Sequence, residues 1–198
     1  MKVIGVTGWT VLAALLCLGT GLTCLALATA GVGDRTAQLT HAVMGGAMAW
    51  MLSPWGDPLP VWLGAGGFAV LGAWFAATVL RGVRDDGSAV HLAISSAAMV
   101  LMYLTHHHAA AAGAPASGPH AGHAMSGGPT DLLVLPLALL LAGYFVWHTW
   151  SCVDRVRSAR AAPCDTPRTT TTRSRVRAEP VLHGMMSALM AAMFLGAV

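Results

Sequence analysis

The sequence predicts an all-α fold, an integral membrane helical bundle with about six transmembrane helices. Apolar residues make up 56% of the 198-residue chain and charged residues only 10%, and the mean hydropathy is +0.65. A soluble domain carries about 25% charged residues, so this composition excludes an ordinary soluble domain. The apolar residues are gathered into six long runs. We interpret the whole chain, 1–198, as a single polytopic membrane domain.

Each apolar run is interpreted as one membrane helix, since about 20 apolar residues are needed to cross the hydrocarbon core. The predicted spans are about 4–29, 39–54, 60–80, 89–107, 131–151 and 181–198. The first follows Lys2 and ends in Ala28-Thr29-Ala30, a pattern typical of signal-peptide cleavage. Its apolar run is longer than the roughly 7–15 residues of a signal core, so we expect residues 1–30 to be retained as a helix.

The later elements are bounded by distinct sequence signals. The second span is the shortest, because Pro54 disfavours further helix. The third begins with small residues at 64–67, which allow helices to approach closely in lipid. The fourth leads into a histidine-rich loop, 105–130, without any charged residue inside it, and the fifth leads into a basic loop, 152–180. The sixth span ends at the last residue of the chain.

The distribution of basic residues predicts the orientation. Ten arginines lie in the loops that follow spans one, three and five, whereas the opposite side carries only Lys2. The positive-inside rule therefore places these loops in the cytoplasm and both termini outside the cell membrane. The net charge of +3 then reflects orientation and contact with anionic lipid, and we expect no nucleic-acid partner.

Three spans open with a histidine that is followed by methionines on one helical face. His41 and His183 are each followed by methionines at offsets of three, seven and ten, and the pattern after His91 is slightly shifted. These offsets fall within one stripe of a helix. Imidazole and thioether groups are the neutral side chains that bind soft or borderline metals. Methionines at helical spacing are also common core residues, so packing alone remains an alternative.

Alternation of the spans places the histidines at one depth. Spans two, four and six run in the same direction, and His148 lies at the corresponding end of span five. Ionisable groups inside a membrane usually have a function, so we predict that these helices line a metal site. The candidate ligands are His41, Met44, Met48, Met51, His91, Met99, Met102, His148, His183, Met186, Met190 and Met193.

The loop 105–130 predicts a second, weaker metal site on the outer face. It is rich in alanine, glycine and proline, so it is expected to be flexible. Its possible ligands are His106, His107, His108, His120, His123 and Met125. A simple linker with incidental histidines is the alternative.

These patterns favour copper handling, by transport, tolerance or delivery, because thioether ligands select Cu(I). Haem is the alternative cofactor, since histidine and methionine are both axial ligands of haem iron. A third interpretation is a non-catalytic scaffold or assembly subunit. No phosphate loop, nucleophile elbow or HExxH motif occurs in the sequence, and we expect no enzyme. The expected partners are the lipid bilayer and either a cuproprotein or a second copy of the chain.

The run from Leu39 to Met51, the His91 helix and the closing His183-Gly-Met-Met186 helix resemble a family of small actinobacterial membrane proteins with His/Met-rich helices, domain of unknown function 5134. The resemblance covers nearly the whole chain and implies a polytopic membrane fold, but no activity. The segment 44–54 is more loosely similar to a family of predicted metal-binding integral membrane proteins. It lacks the consecutive methionine pair that precedes the proline in that family.

Overall fold

A computed structural model of the protein describes the backbone of residues 2–53, 60–83, 87–112, 131–161 and 170–197. Side-chain burial is described for most, but not all, of these residues. This part of the chain forms six α-helices and no strand. The helices are α1 (Lys2–Thr29), α2 (Arg35–Met51), α3 (Val61–Leu80), α4 (Gly87–Ala112), α5 (Asp131–Ala161) and α6 (Thr170–Ala197). The all-α prediction is therefore confirmed.

Four of these helices are long and apolar enough to cross a membrane. Their apolar segments are Gly8–Thr29, Val61–Leu80, Gly87–Thr105 and Leu133–Ser158. The apolar part of α6, Pro180–Leu195, is shorter, and α2 has only 17 residues. At about 1.5 Å per residue, a helix of that length falls just short of a perpendicular crossing of ~30 Å. The protein is thus a multi-pass membrane protein, and the count of six spans is approximate.

Several helices extend beyond the predicted spans. α4 continues to Ala112, and α5 and α6 together occupy most of the predicted basic loop, leaving 162–169 between them. The prediction that the loops begin where the apolar runs end was therefore wrong at these places. Alanine and arginine favour helix whether or not the helix lies in lipid, so the helices pass the point where the apolar pattern stops.

The helices group into two compact units. One consists of Met1–Pro54 and Asp131–Val198, and the other of Trp55–Thr130. The first, the four-helix unit, contains α1, α2, α5 and α6. Within it α1 packs against α2 and α6, and α5 packs against α6. The second, the two-helix unit, is the pair α3 and α4.

Local sequence determines the entry into α2. Gly31 and Gly33 adopt positive φ angles of 67° and 72° in the turn after α1, a conformation that glycine adopts without steric cost. Asp34 then caps α2, its carboxylate accepting a hydrogen bond from the backbone N–H of Thr36 at 3.0 Å. The short turn brings α2 back along α1, and Gly21 meets Gly45 where the two backbones touch.

Candidate functional site

Two histidines meet in the four-helix unit. The imidazole of His41 on α2 stacks on that of His183 on α6, with ring centroids 4.5 Å apart and 30° between the ring planes. His41 is only 1% exposed, and the Nε2 atoms of both rings are buried. The structure thus brings together the two histidines that open the identical His-Met patterns.

The position of His41 is determined by its own helix. Its Nδ1 lies 2.9 Å from the carbonyl oxygen of Ala37, one turn earlier. A carbonyl only accepts hydrogen bonds, so Nδ1 carries the proton and the lone pair of the neutral ring is on Nε2. Histidines that bind metals are commonly oriented in this way, by a bond from one ring nitrogen to a carbonyl.

A third histidine joins the pair from α5. His148 is close enough to both other rings to interact with them electrostatically. Its Nδ1 lies 3.0 Å from the hydroxyl of Ser187 and 3.8 Å from the sulfur of Cys152. We call His41, His148 and His183 the histidine cluster. Three helices of the four-helix unit contribute to it.

The methionines of α2 and α6 extend from the cluster along buried faces. Met44 and Met186 follow the stacked histidines by three residues and are 0% and 1% exposed. Met48 and Met190, four residues further along, are fully buried. Side chains three and four residues apart are neighbours on a helix surface, so His41 adjoins the thioether of Met44 and His183 that of Met186. Of the other predicted ligands on these helices, Met51 is buried and Met193 half-buried.

Two polar residues of this region were missed by the sequence interpretation. Ser187 is fully buried and contacts His148. Gln38 is 1% exposed, and its amide oxygen has no hydrogen-bond partner among the described residues. The burial of both residues could have been predicted from helical spacing, because Gln38 lies three residues before His41 and Ser187 lies four residues after His183. A polar residue at such a spacing shares the buried face of its helix.

The remaining histidine of the predicted set lies in the two-helix unit. His91 is 1% exposed and its Nε2 lies 3.4 Å from the hydroxyl of Ser95. Met99 and Met102, on the same face of α4, are also buried. A site that His91 shares with His41 stays a prediction.

The predicted outer metal loop is only partly described. His106, His107 and His108 belong to α4. The first two fall in both the predicted span 89–107 and the predicted loop 105–130, whereas His108 was predicted only in the loop, and that prediction was wrong. The three histidines precede four alanines, the residue type with the highest helix propensity, and the helix continues through both. His120, His123 and Met125 lie outside the described residues.

The methionine-lined helices, the buried histidines and the four long apolar segments define the chain as an α-helical multi-pass membrane protein. It belongs to the family described as domain of unknown function (DUF5134), whose model matches residues 33–197. This match confirms the family resemblance that the sequence indicated. No curated protein and no solved structure matches the chain.

Proposed function

We propose that this membrane protein binds Cu(I) at the histidine cluster and handles copper for transport, tolerance or delivery to a cuproprotein. The observation that carries the proposal is the stack of His41 on His183 between two helices. Because Nδ1–H of His41 donates to the Ala37 carbonyl, the lone pair of this ring is on Nε2, where a metal can bind. Neutral imidazole nitrogen is a ligand for copper in either oxidation state.

The donor types in this unit favour a soft ion. Within the described ranges, no three side chains of histidine, cysteine, aspartate or glutamate lie close enough together to hold a metal ion by themselves, and this includes the histidine cluster. A site in the four-helix unit would therefore combine imidazoles with the adjacent thioethers of Met44 and Met186. Thioether sulfur selects Cu(I) over the harder divalent ions. The buried amide oxygen of Gln38 one turn away supports a polar occupant near His41.

The geometry of the stacked pair disfavours haem between these two rings. Axial histidines bind opposite faces of the porphyrin through metal–nitrogen bonds of about 2 Å each. The observed centroid separation of 4.5 Å leaves no room for a porphyrin between His41 and His183. A haem would need His91 or His148 as a ligand, or a rearranged pair.

The proposal is tested by one absorption spectrum and one metal analysis of the protein purified from copper-supplemented membranes. We expect stoichiometric copper and no Soret band. A Soret band would identify haem, and not copper, as the cofactor. Protein without metal and without haem would leave the scaffold as the better interpretation, with the methionines acting only in packing.

A further inference from the structure

A groove lies between α5 and α6 in the four-helix unit. Its volume is about 360 Å³, which lies within the range of small-molecule sites. The α5 wall is formed by Thr149, Cys152, Val153, Val156 and Arg157, and the α6 wall by Pro180, Val181, Gly184, Met185 and Ala188. The residues of each wall recur every three or four positions. The groove therefore follows the helices lengthwise.

The floor of the groove is apolar because its few polar groups are already bonded. The Thr149 hydroxyl donates to the Phe145 carbonyl at 2.8 Å. Cys152 is 3% exposed, and a Cβ at Gly184 would lie 3.2 Å from its Cβ. Gly184 thus lets the helices approach while leaving the channel above it open. An apolar channel of this kind accommodates a hydrocarbon chain.

Among the described residues that line the groove, only Arg157 is charged. Its guanidinium lies 5.7 Å from the ring centroid of Trp150, and Trp150 itself is 65% exposed. Exposed tryptophans on membrane helices mark the headgroup level. Arginine forms two parallel hydrogen bonds with phosphate, and stacking on an indole restricts its orientation.

We propose that the groove binds one anionic phospholipid from the bilayer, with an acyl chain in the apolar channel and the headgroup phosphate on Arg157. Charge complementarity and the position of Trp150 support this occupant, and basic pockets between membrane helices are known to bind anionic headgroups. The groove contains no residue of the histidine cluster, although its lining residue Cys152 contacts His148, and the lipid proposal does not depend on copper binding.

The test uses the full-length protein in phosphatidylcholine nanodiscs that contain a minor fraction of phosphatidylglycerol, with retained lipid counted by native mass spectrometry. We expect one phosphatidylglycerol to be retained in preference to phosphatidylcholine. Arg157→Gln should lower this preference about fivefold, the effect of one basic residue near an anionic surface. Arg155→Gln is the matched control, since Arg155 is exposed on the same helix but does not line the groove.

A second variant tests the channel without changing charge. Ala188→Phe fills the groove and should abolish phosphatidylglycerol retention, whereas Ala26→Phe, at an exposed position on α1, should leave it unchanged. Equal losses in the Arg157 and Arg155 variants would show diffuse attraction and overturn the proposal. Equal retention of the two lipids by the parent, or normal retention by Ala188→Phe, would also overturn it.

Discussion

His41 is positioned by a backbone carbonyl four residues earlier rather than by another side chain. The bond from Nδ1 to the Ala37 carbonyl needs only a helical backbone, so substitutions elsewhere in the cluster leave it intact. His148 differs, because its Nδ1 contacts the hydroxyl of Ser187 on the neighbouring helix. The two imidazoles are therefore expected to respond differently to mutation of their surroundings.

The methionines can be separated from simple core residues by replacing them with leucine. Met44→Leu with Met186→Leu nearly conserves volume and should cost less than about 1.5 kcal/mol per site as a packing change. Leucine has no ligand atom, so Cu(I) affinity should fall while the thermal unfolding temperature stays close to that of the parent. Met185→Leu is the control, because Met185 is 40% exposed and adjoins the stripe. If the double variant binds Cu(I) as well as the control, the methionines are packing residues.

Acidification should weaken copper binding through the imidazoles alone. A protonated imidazole has no lone pair for a metal, whereas a thioether does not titrate. Buried imidazoles are protonated only in acid, so Cu(I) affinity measured from pH 8 down to pH 3 should fall at the acidic end in the parent. In the His41→Ala, His183→Ala double variant, any remaining affinity should depend less on pH. An equally steep dependence in both proteins would contradict binding at the stacked pair.

At the scale of elements, α1 and α2 touch through glycines. A Cβ on Gly45 would lie 2.7 Å from the Cys17 carbonyl oxygen and 3.0 Å from the Gly21 Cα. Both are backbone atoms, so neither moves without moving α1. Close approach through small residues is a common way for helices to pack in lipid.

This contact predicts opposite outcomes for two neighbouring glycines. Gly45→Ala forces α1 and α2 apart and should destabilise the protein by about 1–3 kcal/mol, as in other overpacked sites. Gly46→Ala meets nothing within 4 Å and should be neutral or slightly stabilising, since alanine is the better helix former. Thermal unfolding in detergent measures both. Equal effects of the two changes would show that the helices do not meet at Gly45.

The composition and the apolar runs were sufficient to predict the helical membrane fold. Seven of the eight methionines on the three predicted stripes are buried, and the eighth, Met193, is half-buried. The ends of the helices were not predictable from the same signal, because hydropathy changes at the membrane boundary while helix propensity does not. His108 is an example, since it lies beyond the predicted span 89–107 but inside α4.

Contacts between particular side chains could not be predicted from the sequence either. The shared depth of His41 and His183 followed from alternation of the spans, but their stacking depends on how α2 and α6 pack. The burial of Ser187 could have been inferred from its spacing after His183, but its contact with His148, 39 residues away on α5, could not. Spacing along one helix contains no information about the partner helix.

At the scale of the whole molecule, the orientation in the membrane is open to direct measurement. In a cysteine-free background, Ser174→Cys in the basic segment should be protected from an impermeant maleimide in intact cells. Ser117→Cys, in the histidine-rich segment, should be labelled. The asymmetry between ten arginines and one lysine motivates both expectations. Reversed labelling would invert the topology and place the histidine-rich segment on the cytoplasmic side.

The central claim is that the histidine cluster binds Cu(I) inside the four-helix unit. A competition titration against a colorimetric Cu(I) chelator tests it most directly, with the parent and the His41→Ala, His183→Ala variant compared in the same detergent. A further variant lacking residues 106–125 removes the outer histidines. We predict tight, stoichiometric Cu(I) binding by the parent and by the deletion variant, and loss of that site in the double variant. Equal Cu(I) binding by the parent and the double variant would contradict the account.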